Sequence, residues 1–186
     1  MSTNFFIENK SLNKSFSLKK LLFSGLDINY QDKDGWCVLF ESIAYNENIN
    51  SLISLGVNIN IRDKKGRNAL YWAIKFKNHE AVRLLIKNYI NTYVTPTLSA
   101  VHFAIYNDDV KMLKTLKNCG LDLNFLDEIN ATGLIYAVLY NKLHCIDYLL
   151  KNGANIYEND TLGNSAYSLA NELQIKSVIT KFNKRN

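Results

Sequence analysis

A chain of 186 residues with 47 % hydrophobic content, 21 % charged residues and a formal net charge of +5 is long and apolar enough to bury a sizeable core as one domain. Its single proline, Pro96, and the lack of any Gly/Ser-rich linker argue against a string of tethered modules, and no segment approaches the roughly 18 apolar residues of a membrane helix. The opening MSTNFFIENKSLNKSFSLKK interleaves charge with aromatics and so lacks a signal-peptide core, while Cys37, Cys119 and Cys145 are odd in number and widely spaced, which suits buried thiols in a reducing compartment. Cytoplasmic residence is the expectation.

Taken in order, Leu18, Leu21 and Leu22 precede Gly25 as the last helix of an incomplete unit, so 1–30 reads as an amino-terminal cap, with Phe5, Phe6 and Ile7 as a short helix or a fold-back. A unit over 31–61 opens on a turn at Asp32 and places Leu39 and Ser42 on a first helix and Ile49, Leu52 and Ile53 on a second. Ser42 to Gly56 is 14 positions where the later copies have 16, which predicts a shortened loop near Tyr45 to Asn48. The unit over 62–93 repeats the pattern with Leu70, Ala73 and Ile74, then Val82, Leu85 and Ile86.

The stretch from Tyr89 to Thr97 lacks both the stop glycine and the turn glycine. Pro96 removes a donor and biases Thr95 towards extended backbone, so this turn is expected to be distorted, either bending the stack or meeting a partner. Units over 94–125 and 126–158 follow, built on Val101, Ala104, Ile105, Met112, Leu113 and Leu116, then on Leu134, Ala137, Val138, Cys145, Ile146, Leu149 and Leu150. Asn130 stands where a turn glycine would be, and asparagine tolerates the left-handed region. A carboxy-terminal cap over 159–186 carries Ile175, Val178 and Ile179, and the run from Lys181 to Asn186 reads as a solvated tail whose cations oppose the helix dipole.

Two markers share one period. A stop glycine or its degraded copy falls at Gly25, Gly56, Tyr89, Gly120 and Gly153, in steps of 31, 33, 31 and 33. A small first-helix residue falls at Ser42, Ala73, Ala104, Ala137 and Ala170, in steps of 31, 31, 33 and 33. With Asn68-Ala69-Leu70-Tyr71-Trp72-Ala73, Ser99-Ala100-Val101-His102-Phe103-Ala104 and their later equivalents at the signature positions, the chain resembles the ankyrin repeat family, whose unit is about 33 residues with a Thr-Pro-Leu-His-x-Ala signature. Only His102 keeps the signature histidine, and no copy keeps the proline. The resemblance implies an all-α ankyrin repeat solenoid of about five helix-turn-helix units behind an incomplete cap.

No catalytic constellation is legible. His79, His102 and His144 are too far apart in sequence to share a zinc site, no glycine-rich phosphate loop is present, and neither a cofactor nor a metal is expected. His102 matches the signature histidine, whose implied role is to brace the turn. The Lys and Arg residues do not cluster with base-stacking aromatics, so neither a nucleic acid nor a membrane is the expected partner.

Ankyrin proteins bind other proteins through turn tips and inner helices. Carried onto this chain, that implies a concave partner-binding face of Lys33, Asp34 and Trp36, then Lys64, Lys65, Arg67, Trp72, Lys75 and Phe76, then Tyr106, Asn107 and Tyr140. Glu128, Ile129, Leu139, Thr161, Leu162 and Asn164 lie at corresponding positions. Trp36, Arg67, Trp72, Tyr106 and Tyr140 are the expected anchors, since Trp, Tyr and Arg dominate interface energetics. Core packing competes with this role for Trp72 and Tyr136, while Trp36 is expected to be exposed.

Basic tips in the first half call for a partner with an acidic patch. The reading is a non-enzymatic, monomeric protein-binding scaffold. A narrower form is a stoichiometric inhibitor such as a bacterial immunity protein that neutralises a cognate toxin, suggested by size and by Asn, Lys, Ile and Tyr usage like that of AT-rich genomes. The alternatives are an adaptor or host-directed effector binding a eukaryotic protein, an enzyme hidden near Pro96, and a nucleic-acid binder.

Overall fold

The computed structural model describes residues 25 and 27–184, so the expectations for Phe5 to Ile7, Leu18 to Leu22 and Arg185 fall outside the described residues. Ten α-helices occur among those residues, in five consecutive pairs. The inner helices are α1 (Val38–Ala44), α3 (Ala69–Lys75), α5 (Ala100–Tyr106), α7 (Gly133–Leu139) and α9 (Ala166–Glu172). Each is followed by its outer helix: α2 (Asn50–Ser54), α4 (His79–Lys87), α6 (Val110–Asn118), α8 (Leu143–Lys151) and α10 (Lys176–Asn183). The chain forms two compact units, one ending at Ala100 and one beginning at Val101.

Helices of five to nine residues are too short to persist alone, so packing and caps must hold them. In the first unit Leu39, Phe40, Ile43, Leu70, Ala73, Val82 and Leu85 are fully buried. In the second unit Ile105, Met112, Leu113, Leu116, Ala137, Val138, Ile146 and Leu149 are fully buried. Each large aliphatic residue so buried contributes ~1.5–3 kcal/mol. Inner helices start on side chains that accept a first-turn amide: Asn68 from Tyr71, Thr132 from Ile135 and Ser165 from Ser168.

Outer helices use Asn78 for α4 and Asp109 for α6 in the same way. Asn78 is buried and also donates its Nδ2 to the Ile43 carbonyl of the preceding pair at 3.1 Å. Lys142 at the start of α8 offers no acceptor. Asp108, from the preceding pair, takes that place: its Oδ1 accepts the Cys145 amide at 3.0 Å.

The connection inside each pair turns on one left-handed residue, Asn46, Lys77, Asp108, Asn141 and Gln174, with φ between 51° and 58°. None of these is glycine, which is why this most regular marker is invisible to a glycine search. The two-residue deletion expected in the loop after α1 lies elsewhere: 45–49 is longer than 76–78, and α2 has five residues where α4 has nine. The deletion is taken from the outer helix because the loop must still present Asn46 in its left-handed turn.

Between pairs the chain makes a finger-like turn ordered by an aspartate. Asp32 Oδ1 accepts the amides of Asp34 and Trp36, and Asp63 Oδ1 those of Lys65 and Arg67. Asp127 and Asp160 repeat the arrangement. Adjacent fingers touch: the Lys64 amide donates to the Asp34 carbonyl at 3.3 Å, and a Cβ on Gly35 would sit 2.8 Å from Asp63 Cα.

The Pro96 turn is rebuilt at its tip only. Its base keeps the bridge Tyr93 to Ser99, equivalent to Arg62 to Asn68 and Asn159 to Ser165, and the Val94 amide donates to the Leu98 carbonyl at 2.8 Å. Arg62 clamps it, with Nη1 on the Gly66 carbonyl at 2.6 Å and Nη2 on the Tyr93 carbonyl at 2.9 Å. Pro96 itself seats against Gly66, where a Cβ would meet its Cδ at 3.0 Å. Loss of the turn glycine therefore costs the left-handed tip and not the finger.

The carboxy-terminal tail also differs from expectation. Helix α10 runs to Asn183, Phe182 is fully buried against Tyr167, and Lys181 Nζ reaches Asp147 Oδ1 at 2.5 Å.

Candidate protein-binding surface

In the first unit the Asp-ordered fingers leave Lys33, Asp34, Lys64 and Lys65 exposed at their tips, because the aspartates that build the turns point inward to amides. The inner helices α1 and α3 rise from these fingers. Trp36, just before α1, is half-buried where exposure was expected; its Nε1 donates to Glu41 Oε2 at 2.7 Å. Burial raises the Glu41 carboxyl above its ordinary value, and the indole hydrogen bond partly offsets that.

Trp72 is the centre of this surface without being its contact residue. At 9 % exposure it is core, which corrects its assignment as an anchor. Trp36 meets it edge-on with ring centroids 4.7 Å apart, Tyr71 edge-on at 5.2 Å, and Phe76 stacks on it at 5.8 Å with an interplanar angle of 19°. Aromatic pairs in these geometries contribute ~0.5–1.5 kcal/mol beyond area burial. What Trp72 supports is exposed: Phe76 at 44 %, with Lys75 beside it at the end of α3.

Arg67 lies over the same ring, its Cζ 4.3 Å from the Trp72 centroid and 5.3 Å from that of Tyr71. Its Nε donates to Asp63 Oδ2 at 2.6 Å. Asp63 is 2 % exposed and Arg67 23 %. Sequence reasoning singled out Arg67 but passed over Asp63, Glu41 and Tyr71, which hold the surface in place; the four-residue spacing of Asp63 and Arg67 was the signal available.

The second unit carries its own patch. Tyr106 and Tyr140 are exposed and meet edge-to-face at 5.5 Å, with Lys142 Nζ 5.4 Å from the Tyr106 centroid. Tyr136, half-buried, stacks on Tyr140 and donates its hydroxyl to Asp127 Oδ2 at 2.5 Å; burial and that carboxylate push the phenol upward. Asn107 is exposed and its Nδ2 donates to the Phe103 carbonyl at 2.8 Å. Glu128, Ile129, Leu139, Thr161 and Leu162 are exposed, whereas Asn164 turns inward to Asp160.

Charge is divided unevenly. Residues 1–100 contain 13 Lys and Arg against 8 Asp and Glu, net +5, and residues 101–186 contain 9 against 9, net zero. Within residues 25–100 the balance is 9 Lys and Arg against 7 Asp and Glu, net +2.

His102 and Cys145 pack inside the second unit. His102 is buried against Tyr136, and burial lowers its basicity. His144 Nδ1 lies 2.7 Å from Asp108 Oδ2 beside Cys145, and burial and Asp108 push that thiol far upward, the opposite of the lowering that activates a thiolate. Among the described residues no group of three or more His, Cys, Asp or Glu is placed to hold a metal ion.

Paired short helices joined by aspartate-ordered fingers at a 31- to 33-residue period define a class of helical repeat proteins. The family model for ankyrin repeats (3 copies) matches residues 9–96 and 92–160, and the chain belongs to that family, an all-α repeat solenoid of a kind that serves in protein–protein interaction. A stretch of 67 residues, 36 % of this chain, is 34 % identical to Palmitoyltransferase AKR1 of Lachancea kluyveri, and the match spans 9 % of that protein.

Proposed function

We propose that this protein acts by binding a partner protein through the finger tips and inner-helix ends of its first unit, and not by catalysis. The observation that carries the reading is the exposed Phe76 stacked on the buried Trp72, a ring that Trp36 and Arg67 also contact, in a unit that exposes Lys33, Lys64 and Lys65 at its finger tips and Lys75 beside Phe76. A rigid aromatic centre with a polar rim is the composition of an interface hot spot. The exposed Lys33, Lys64, Lys65 and Lys75 favour a partner with an acidic patch, whose encounter they accelerate by steering. Tyr106, Asn107 and Tyr140 form a smaller patch on the second unit that suits an auxiliary contact.

The test is affinity capture from the native cell with three versions of the full chain: unaltered, Phe76→Ala, and Lys33→Ser/Lys64→Ser/Lys65→Ser. The expected result is one protein retained by the unaltered chain, lost with Phe76→Ala, and recovered more slowly and with weaker salt dependence with the lysine variant. Retention of every captured protein by a correctly folded Phe76→Ala chain would remove the reading.

A further inference from the structure

Within that proposed surface, and resting on it, one side chain is built more completely than protein stability requires. Arg67 is fixed on two sides: its Nε is spent on Asp63 Oδ2, and its plane lies over Trp72 and Tyr71. Asp63 is in turn held through its other oxygen, Oδ1 accepting the amides of Lys65 and Arg67. Nη1 and Nη2 of Arg67 have no acceptor among the described residues. The Arg67 side chain keeps 23 % of its surface open to solvent. The contrast with Arg62 is instructive: its two Nη groups are consumed by the carbonyls of Gly66, Tyr93 and Val94.

We propose that Arg67 is a preorganised receptor for a carboxylate, taking the Asp or Glu side chain of the partner in a two-pronged hydrogen bond through Nη1 and Nη2, with an adjoining apolar partner residue laid on Phe76. A guanidinium presents parallel N–H donors that match the two oxygens of a carboxylate, and a clamped guanidinium loses little rotamer freedom on binding. A carboxylate fits better than a phosphate because Asp63 already offsets the charge of Arg67. What remains is a directional pair of donors, not the excess of positive charge that a dianion requires. The neighbouring Lys64 and Lys65 add attraction at longer range but no second fork.

The experiment screens the immobilised full-length protein against a bead library of N-acetylated, C-amidated tetrapeptides drawn from all residues except Cys. Asp or Glu beside an aliphatic or aromatic residue is the expected enrichment. The best sequence is resynthesised with Glu, Gln or phosphoserine at the acidic position, and binding is measured by calorimetry. Glu is expected to bind at least about tenfold tighter than Gln to the unaltered chain, as for hydrogen bonds between charged groups. Arg67→Lys, which keeps the charge but not the fork, is expected to reduce that ratio to about threefold or less. Phe76→Ala is expected to weaken the Glu and Gln peptides alike.

Should Arg67→Lys fail to fold, the Arg67 Nε–Hε NMR signal of the unaltered chain substitutes, moving on addition of the Glu peptide and not of the Gln peptide. Equal binding of Glu and Gln, or a preference unchanged in Arg67→Lys, would overturn the receptor while leaving the surface intact. Tighter binding of phosphoserine than of Glu would overturn the choice of carboxylate. If no peptide is selected, or none is weakened by Phe76→Ala, the binding surface itself fails and the receptor with it.

Discussion

Replacement of Asn68 by alanine is expected to be among the most damaging single changes on the inner face of the first unit. The side chain is fully buried and makes three hydrogen bonds: Oδ1 accepts the Tyr71 amide at 3.0 Å, and Nδ2 donates to the carbonyls of Asn91 at 2.9 Å and Tyr93 at 3.1 Å. Tyr93 keeps Arg62 Nη2 as a donor, so the carbonyl stranded by the substitution is that of Asn91. Losing the helix cap costs ~1 kcal/mol and the two lost Nδ2 hydrogen bonds ~1 kcal/mol each, about 3 kcal/mol together. For a chain of this size that lowers the melting temperature by roughly 6–12 °C. Asn68→Thr keeps the cap, as Thr132 does for α7, but cannot reach the next finger, and should show about two-thirds of the loss. Thermal unfolding followed by far-UV circular dichroism reads both. An Asn68→Ala chain melting within about 1 °C of the unaltered protein would refute the assignment of Asn68 as the tie between α3 and the Pro96 finger.

Tyr89 is 91 % exposed and sits at φ +62°, where the equivalent positions are glycine; Tyr89→Gly should raise the urea midpoint, by ~1 kcal/mol of stability, and a lower midpoint would contradict the strain assigned to it. Asp108 has two opposed influences, partial burial that raises its carboxyl and hydrogen bonds from His144 and the Cys145 amide that lower it, with a net lowering. A depressed carboxyl contributes stability that is present above its unfolded value and lost as pH falls through the folded one. The stability difference between the unaltered chain and Asp108→Asn should therefore shrink as pH is taken from about 5 to about 3, and a difference that grows instead would reverse the sign argued here. Cys37, pushed up to about 11 by burial, and Cys145 should resist a thiol reagent in the native state while the half-exposed Cys119 reacts; mass spectrometry showing early modification of Cys37 or Cys145 would contradict their burial.

The fold was legible because its period is written twice, in stop glycines and in small inner-helix residues, and periodic apolar positions such as Leu70, Ala73, Val82 and Leu85 are all core. What the sequence concealed depended on contacts distant along the chain. Nothing local announces that Arg62 clamps the Pro96 finger 31 and 32 residues away, or that Asp108 caps α8 in place of Lys142. Phe182 reads as part of a charged tail because its neighbours are Lys181, Asn183 and Lys184, yet it is fully buried, with Tyr167 among the rings beside it. At the surface, residue type pointed to Trp72, but a large inner-helix aromatic can satisfy itself by packing, and Trp72 does so between Trp36 and Phe76. The toxin-neutralising reading rests on chain size, the lack of a second recognisable domain and an amino-acid usage like that of AT-rich genomes, and no residue of the surface bears on it.

The most direct test of a binding surface on the first unit is site-specific photocross-linking in the native cell, with p-benzoylphenylalanine placed at Phe76 or, as a control, at the exposed Arg83 of the outer helix α4. The account expects a single protein adduct from position 76, diminished by Lys33→Ser/Lys64→Ser/Lys65→Ser, and none from position 83. Adducts of one protein from position 83 with none from position 76 would contradict it.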